Sequence, residues 1–297
     1  MYTQFFGNYL FSKGYVTKEQ LIPALLRQSK DTVHIGTLAL FSGYMSAKEI
    51  EYISQLQNEQ GKTFSELAIE NGYLTSEKVL ELLNSKKPNF LVLGQILIEE
   101  GTFTYEQFEN ILTDYCSQNE FIDMELNKDN KDEIKRLLDS FSLLSEAAIP
   151  DFGKAYIELL FNNFVRFIGE DFIALPPDIC TEFPVEHCVS QSINGKYAAK
   201  TYLNMDEDTA IAFASRYTNE EFKKFNEYVA ASLEDFLNLH NGLFVVNVSN
   251  DHNKEHTLGI LENINGSIIG FDHITYHFPI YYSFGIVHFL LEVVYIK

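Results

Sequence analysis

The chain has 297 residues, of which 46% are hydrophobic and 14% aromatic, and its formal net charge is -20. This length suggests about two domains, and the composition excludes a disordered chain because it can supply sizeable apolar cores. The negative charge disfavours nucleic acid and anionic membranes as partners and favours a partner with a positive surface. Three cysteines, Cys116, Cys180 and Cys188, form neither an even disulfide framework nor a metal-ligand spacing, which suits a reducing cytoplasm.

The N-terminal part of the chain repeats at a step of 29 residues. Glycines with similar flanking residues stand at four equally spaced positions, Gly14, Gly43, Gly72 and Gly101. An earlier glycine in each copy is found at Gly7, Gly36 and Gly94, with Ser65 in the third copy. A period held over four copies predicts one small unit that is stacked four times.

Each copy predicts a short helix, a glycine turn and a second helix. A glycine has no Cβ, so it can end the first helix in a left-handed conformation without steric cost. Hydroxyl residues able to cap the second helix follow at Thr17, Ser46, Thr75 and Thr104. Three copies complete a capping box, with Gln20, Glu49 and Gln107. We expect the four units to pack together as an all-α domain over residues 1–118.

These units resemble the MshEN domain, which is also found at the N-terminus of type II secretion and type IV pilus ATPases. The matching motif positions in the first two copies are Gly7, Gly14, Gln28, Gly36, Gly43 and Gln57. The resemblance implies that the domain can bind cyclic di-GMP through such positions. The arginine of the family motif is replaced in the four copies by Phe5, His34, Thr63 and Val92. Because none of these supplies a guanidinium, we favour a structural or partner-binding array over a nucleotide sensor.

A polar, charge-dense stretch at residues 127–132 marks a boundary between domains. Residues 134–144 predict a short amphipathic connector helix, which ends before Pro150. We therefore expect a linker over residues 119–150 and a second domain over residues 151–297, where the 29-residue period is absent.

The second domain mixes helix and strand patterns. The predicted helices are a buried helix over 156–168, a short helix over 206–216 and a long helix from the capping box at 218–221 to Gly242. The predicted strands begin with a hairpin of 187–193 and 196–203 around Asn194-Gly195. Further strands are predicted over 243–249 and 256–262, and two more after Asn265-Gly266. Helices that lie against an antiparallel sheet predict an α+β domain.

The apolar stretch over residues 278–296 is long enough to raise the question of a membrane span. It contains Pro279, His288 and Glu292 and is rich in Tyr, Val and Ile, so two buried strands joined near Gly285 explain it better. The N-terminus carries no basic residues and no sustained apolar run, so no signal peptide is expected. We therefore predict a cytoplasmic protein without membrane insertion.

Asp235 and Asn238 lie three residues apart on the outward side of the predicted long helix, so they should be neighbours on its surface. The spacing allows two interpretations. A carboxylate and an amide presented together could contact the active site of a partner, or both could be solvated surface residues.

Residues 151–297 resemble the CheC/CheX/FliY family, most closely the single-site CheX type. The likeness includes the entering helix, the Asn-Gly hairpin, residues 200–210 and the segment Asp235-Phe-Leu-Asn238-Leu-His-Asn-Gly242, which stands at the family pattern Glu-x-x-Asn with a later Gly. The resemblance implies a response-regulator receiver domain, such as CheY, as the partner. It also allows a homodimer through this domain.

The resemblance further implies that Asn238 orients a water in line with the aspartyl phosphate of the receiver, while Asp235 contacts the lysine of the receiver. The receiver supplies Mg²⁺, so no metal or cofactor site is expected in this chain. Asp235 is one methylene shorter than the Glu of the family. Three functions therefore stay open: an aspartyl-phosphate phosphatase, a non-catalytic adaptor with a degenerate site, and a regulator that responds to cyclic di-GMP through the repeats.

Overall fold

The computed structural model describes residues 6–28, 31–85, 89–124, 134–135, 137–139, 141, 149–252 and 256–294. The chain divides into two compact units, Met1–Asn127 and Lys128–Lys297. The linker and domain boundaries proposed from the sequence stay a prediction. The described residues between 134 and 141 are helical, where the connector helix was predicted, and the rest of that helix lies outside the described residues.

The described residues of the first unit form eight helices. These are α1 (Phe6–Ser12), α2 (Lys18–Gln28), α3 (Ile35–Phe41), α4 (Ala47–Gln60), α5 (Phe64–Glu70), α6 (Ser76–Asn84), α7 (Asn89–Glu99) and α8 (Tyr105–Met124). A short helix, a glycine turn and a second helix therefore follow one another four times along this unit.

The four glycine turns share one backbone geometry. The φ angles of Gly14, Gly43, Gly72 and Gly101 are 72°, 66°, 76° and 74°. At Gly43, the amide of the glycine donates to Leu40 O at 3.0 Å and the next amide, of Tyr44, donates to Ala39 O at 2.8 Å. The same two hydrogen bonds recur at the other three glycines. This pattern is the Schellman motif, which satisfies the last carbonyls of a helix and requires a left-handed residue.

The predicted capping residues meet at the start of the second helix in three copies. The backbone amides of Thr17, Ser46 and Thr104 donate to the side chains of Gln20, Glu49 and Gln107 at 2.9, 2.7 and 2.9 Å. These bonds satisfy amides that have no partner inside the helix.

Two of the earlier glycines of the repeat, Gly36 and Gly94, serve close packing between helices. Gly36 lies inside α3, and a Cβ there would come within 3.1 Å of the Phe64 ring. Gly94 lies inside α7, and a Cβ there would overlap the ring of Phe108, which is fully buried. Glycine at these positions therefore lets helices approach closely.

From residue 149 on, the described part of the second unit combines three helices with a six-stranded sheet. The helices are α9 (Asp151–Phe167), α10 (Glu207–Thr218) and α11 (Glu227–His252). The strands are β1 (Phe172–Ala174), β2 (Asp178–Asn194), β3 (Ala199–Met205), β4 (Thr257–Leu258), β5 (Glu262–Tyr282) and β6 (Gly285–Val293). All the strand pairs are antiparallel, so an antiparallel sheet with helices is present, as the sequence predicts.

Four of the strands close on one another. The sheet order is β1-β5-β6-β3-β2-β4, and β5 also pairs with β2, because these two long strands each have different partners at their two ends. One apolar cluster takes residues from all four of these strands, including Val185, Cys188, Tyr202 and Leu290. Rings of α9 and α11 form a second core, in which Phe164 stacks on Phe236 at 5.3 Å between ring centroids.

Two boundaries of the predicted long helix are wrong. Thr218 ends α10, and Asn219 adopts a left-handed conformation with a φ of 57°, so Thr218 does not cap the next helix. The cap of α11 is instead Asn226, whose side chain accepts from the amides of Tyr228 and Val229 at 3.0 Å. Gly242 does not end the helix, which runs on to His252.

The predicted strand over residues 243–249 is therefore also wrong. Phe244 and Val248 are buried one turn apart, so the helical period continues past the glycine. Phe244 packs against Tyr156 of α9 with ring centroids 4.9 Å apart. This tertiary contact outweighs the low helix propensity of Gly242 and of the valines that follow.

The other strand predictions have mixed outcomes. The hairpin around Asn194-Gly195 forms, but its last pair is Ile193 with Ala199, so the connection is longer than two residues. Asn265-Gly266 makes no turn, since β5 passes through it in continuous register with β2. The pair of strands joined near Gly285 is confirmed, because Tyr282 of β5 pairs directly with Gly285 of β6.

Among the residues that the structure describes, none of the helices is both long enough and apolar enough to cross a membrane.

We predict opposite outcomes for two glycine substitutions in the first unit. Gly94→Ala should destabilise the protein by about 1–3 kcal/mol, because the methyl group must displace the buried Phe108 ring. Gly36→Ala should change stability by less than about 1 kcal/mol, because the gain in helix propensity offsets a milder contact with Phe64. Urea unfolding of both full-length variants measures this difference. An equal decrease in the free energy of unfolding of the two variants would show that the helices around Gly94 are not tightly packed.

Candidate functional site

The candidate pair lies on the exposed face of α11. Asp235 and Asn238 are both exposed, whereas Phe236 and Leu237 between them are fully buried. The apolar residues hold the opposite face of α11 against the core and thereby determine which residues point outward. The carboxylate and the amide consequently project from adjacent turns of one helix face.

Tyr217, at the end of α10, orients the carboxylate of Asp235. Its hydroxyl donates a hydrogen bond to Asp235 Oδ2 at 2.6 Å. Burial raises the pKa of Tyr217 well above its usual range, and the hydrogen bond to Asp235 raises it further. The phenol therefore stays protonated at neutral pH and remains a donor to the carboxylate.

Gln191, on β2, binds the amide of Asn238 from the interior of the domain. Gln191 Nε2 donates to Asn238 Oδ1 at 3.0 Å and to the carbonyl of Gly259 at 3.1 Å. The side chain of Gln191 is almost completely buried. The exposed amide is thus connected directly to the interior of the domain.

The contact with Gln191 belongs to a buried chain of hydrogen bonds. Asn241 Nδ2 donates to Gln191 Oε1 at 2.9 Å and to Thr201 Oγ1 at 3.0 Å. Tyr156 donates to Asn241 Oδ1 at 2.5 Å. Because each of these buried polar groups finds a partner, the chain connects α9, β2, β3 and α11 without the cost of unsatisfied groups.

His240 lies beside this chain and is completely buried. Its Nδ1 is 3.0 Å from Asn163 Nδ2, and its ring meets Tyr156 edge to face at 4.4 Å. Its Nε2 has no hydrogen-bond partner among the described residues. Burial lowers the pKa of His240 to about 3, so the imidazole is neutral in the folded protein.

Exposed apolar side chains flank the pair. Tyr228 and Val246, on the same side of α11, are 65% and 56% exposed. Ile260, which follows Gly259 in the loop before β5, is 88% exposed. We call the surface formed by Tyr228, Asp235, Asn238, Val246 and Ile260 the α11 face. Apolar residues around a polar centre are typical of a surface that contacts another protein.

The six nucleotide-binding candidates occupy several kinds of position. Gly14 and Gly43 form the left-handed turns, and Gly7 and Gly36 are buried inside α1 and α3. Gln28, at the end of α2, is half-buried, and Gln57, in α4, is exposed. The two turn glycines therefore cap helices and the other two lie buried within helices, and the nucleotide-binding role of all six residues stays a prediction.

A polar cavity of about 350 Å³ lies in the first unit. Its lining consists of Arg27, Asp31, Thr32, His34, Gln95 and Glu99. The guanidinium of Arg27 is already paired with the carboxylates of Asp31 and Glu99. A phosphate group in this cavity would meet a guanidinium whose charge is already neutralised by two neighbouring carboxylates. The cavity is therefore a poor environment for a dinucleotide.

The sequence interpretation identified Asp235 and Asn238 but missed Tyr217 and Gln191. Tyr217 is the second-last residue of α10, and Gln191 is one polar residue within a strand. Neither position has a sequence signal of its own, because both roles arise from contacts between elements that are distant in the chain.

Solved structures similar to the C-terminal half of this chain are CheX and CheC-like chemotaxis proteins. The chemotaxis protein CheX from Desulfovibrio desulfuricans is 11% identical with a TM-score of 0.42, over 49% of this chain and 100% of that chain. A CheC-like superfamily protein from Shewanella sp. PV-4 is 13% identical with a TM-score of 0.44, over 50% of this chain and 100% of that chain. A chain of the CheX-CheY-BeF3-Mg+2 complex from Borrelia burgdorferi is 18% identical with a TM-score of 0.42, over 49% and 99% of the two chains.

No protein-family model matches this chain, and neither does a curated protein sequence.

We predict that His240 makes the protein less stable in acid. Its pKa is about 3 when folded, against about 6.5 when unfolded, so below pH 6.5 the unfolded chain binds one more proton. The contribution of neutral His240 to the free energy of unfolding is therefore fully present above pH 6.5. It decreases as the pH falls, by about 2 kcal/mol at pH 5. Urea unfolding at pH 7 and pH 5 should show this extra loss in the wild type relative to His240→Gln.

In His240→Gln the side-chain oxygen can still accept from Asn163, and the contributions of the carboxylates are the same in both proteins. Parallel pH profiles would mean that His240 takes up its proton without unfolding.

Proposed function

We propose that residues 151–297 form a CheX-like domain that docks on the receiver domain of a phosphorylated response regulator and hydrolyses its aspartyl phosphate. The observation that carries the proposal is the joint exposure of Asp235 and Asn238 on one helix face, each held by a hydrogen bond from its own domain. The resemblance of this segment to the family pattern Glu-x-x-Asn supports the same assignment.

The α11 face is suited to a protein partner. Tyr228, Val246 and Ile260 offer apolar area around the polar pair, which is the usual arrangement of an interface core. The negative charge of the chain favours approach of a partner whose active site presents a lysine, and this attraction should weaken as the salt concentration rises.

The proposed reaction is the attack of water on the phosphorus of the aspartyl phosphate. A bond forms between the water oxygen and phosphorus, the bond from phosphorus to the aspartate oxygen breaks, and the protons of the water pass to phosphate and solvent. Asn238 orients this water in line, and Asp235 contacts the lysine of the receiver. The Mg²⁺ that neutralises phosphoryl charge belongs to the receiver. Fixed dipoles of this kind lower the barrier because they are oriented before the reaction begins.

One observation favours a second function, that of a non-catalytic adaptor. Asp235 is shorter than the glutamate of the family pattern, and its carboxylate is drawn toward Tyr217 of its own domain. An acid that cannot reach the receiver would leave the docking face in place without the chemistry.

For the first unit, we propose a structural or partner-binding array of four MshEN-like units. The recurring glycine turns support this proposal, because helix capping explains Gly14 and Gly43 and close packing explains Gly36. The alternative is a regulator that responds to cyclic di-GMP through Gln28 and Gln57.

We predict that Asn238→Ala reduces the dephosphorylation rate by at least about tenfold while the affinity for the receiver stays within about twofold, because an oriented amide acts mainly in the transition state. The measurement uses the full-length chain and each receiver domain encoded in the same genome, phosphorylated with acetyl phosphate in the presence of Mg²⁺. Release of inorganic phosphate gives the rate, and calorimetry gives the affinity.

Asn247→Ala is the matched control, since Asn247 is an exposed asparagine of the same helix that does not belong to the α11 face. If the wild type binds a receiver but leaves the lifetime of its phosphate unchanged, the adaptor function is correct. If Asn238→Ala is as active as Asn247→Ala, the assignment of the site is wrong even though the activity exists.

We predict that the full-length chain shows no binding to cyclic di-GMP at tens of micromolar in isothermal titration calorimetry. The guanidinium in the polar cavity is already paired, and the arginine positions of the motif hold other residues. A sub-micromolar dissociation constant that is lost in Gln28→Ala or Gln57→Ala would instead establish the nucleotide sensor.

A further inference from the structure

The hydrogen bonds of the buried chain around Gln191 have defined directions because two backbone carbonyls, those of Gly259 and Gln191, accept from it. A carbonyl oxygen can only accept, so Gly259 O identifies Nε2 as the end of Gln191 that faces it. The same Nε2 then donates to Asn238 Oδ1, and Gln191 Oε1 accepts from Asn241. The orientation of the Gln191 amide therefore follows from its surroundings.

A second carbonyl orients the other end of the chain. Thr201 Oγ1 donates to the backbone carbonyl of Gln191 at 3.0 Å, so the lone pairs of this hydroxyl are left to accept from Asn241 Nδ2. Tyr156 donates to Asn241 Oδ1. The carbonyls of Gly259 and Gln191 thus lead to the same orientation of Asn241, in which its side-chain NH₂ faces Gln191 and Thr201.

Asn238 is the exposed end of this directed chain. Its Oδ1 is turned inward to accept from Gln191, so its NH₂ group is turned outward on the α11 face. We propose that Gln191 is a positioning residue that presents Asn238 to the partner as a hydrogen-bond donor. This proposal rests on the proposed function and specifies its chemistry.

A donor at this position acts on an oxygen of the reaction centre. The NH₂ of Asn238 can donate to the attacking water and leave a lone pair of that water directed at phosphorus. It can equally donate to a phosphoryl oxygen, where negative charge is concentrated. Both uses require that the amide does not rotate, because a flipped amide would present its carbonyl oxygen and repel the phosphoryl oxygens.

The test compares Gln191→Met with Tyr202→Phe in the full-length chain. Methionine fills a similar volume but cannot donate, so Asn238 loses its anchor. Phenylalanine removes a buried hydroxyl of β3 that donates to Glu292 and does not belong to this chain, so the bonds from Gln191 to Asn238 and Gly259 remain. With phosphorylated receivers, we expect kcat to fall about ten- to a hundredfold in Gln191→Met with KM within about twofold, and to stay within about twofold of wild type in Tyr202→Phe.

A second readout needs neither receiver nor activity. The NMR order parameter of the Asn238 side-chain NH₂ should be high in the wild type and in Tyr202→Phe and low in Gln191→Met. An ordered amide in Gln191→Met, or a disordered one with unchanged kcat, would overturn the positioning role. If the wild type fails to hydrolyse any receiver phosphate while this amide is ordered through Gln191, the failure lies with the proposed function and not with the anchoring.

Asn238→Asp tests the donor separately and does not depend on whether Gln191→Met folds. Position 238 is exposed, and the carboxylate can still accept from Gln191 while the outward donor is replaced by an acceptor. We expect at least about a tenfold loss of kcat. Full activity of Asn238→Asp would show that no donor is needed there.

Discussion

The hydrogen bond from Asn241 to Gln191 connects the core of the second unit with its candidate site. One end of the chain it belongs to is Tyr156, buried between α9 and the sheet, and the other end is the exposed Asn238. Loss of one partner from such a chain leaves a buried polar group unsatisfied, at a cost of about 1–3 kcal/mol. The position of the amide on the surface is therefore coupled to the packing of four elements, which suits a site that must hold one geometry.

Much of the first unit was predictable because its signals are local. Gly43 and Gly101 end helices through their own backbone conformation, and Glu49 and Gln107 cap helices through bonds that span three residues. Such interactions depend on neighbouring residues in the chain, so the sequence pattern contains them completely.

The second unit was predicted less well because tertiary contacts decide its boundaries. Gly242 has the residue type of a helix stop, but burial of Phe244 against Tyr156 carries the helix onward. Asn265-Gly266 has the residue types of a turn, but pairing with β2 keeps the strand extended. Asp235 and Asn238 could be predicted from their spacing on one helix. Tyr217 and Gln191 could not, because they contact this pair from other elements and only through the tertiary fold.

The central claim is that a receiver docks on the α11 face. The most direct test maps the contact by NMR on the full-length chain, with a receiver domain from the same genome held in its activated state by beryllofluoride. The account predicts that the largest perturbations fall on residues 228–246 of α11 and on the loop at residues 259–261. Perturbations confined to the first unit, or to residues 268–274 of β5, would contradict it.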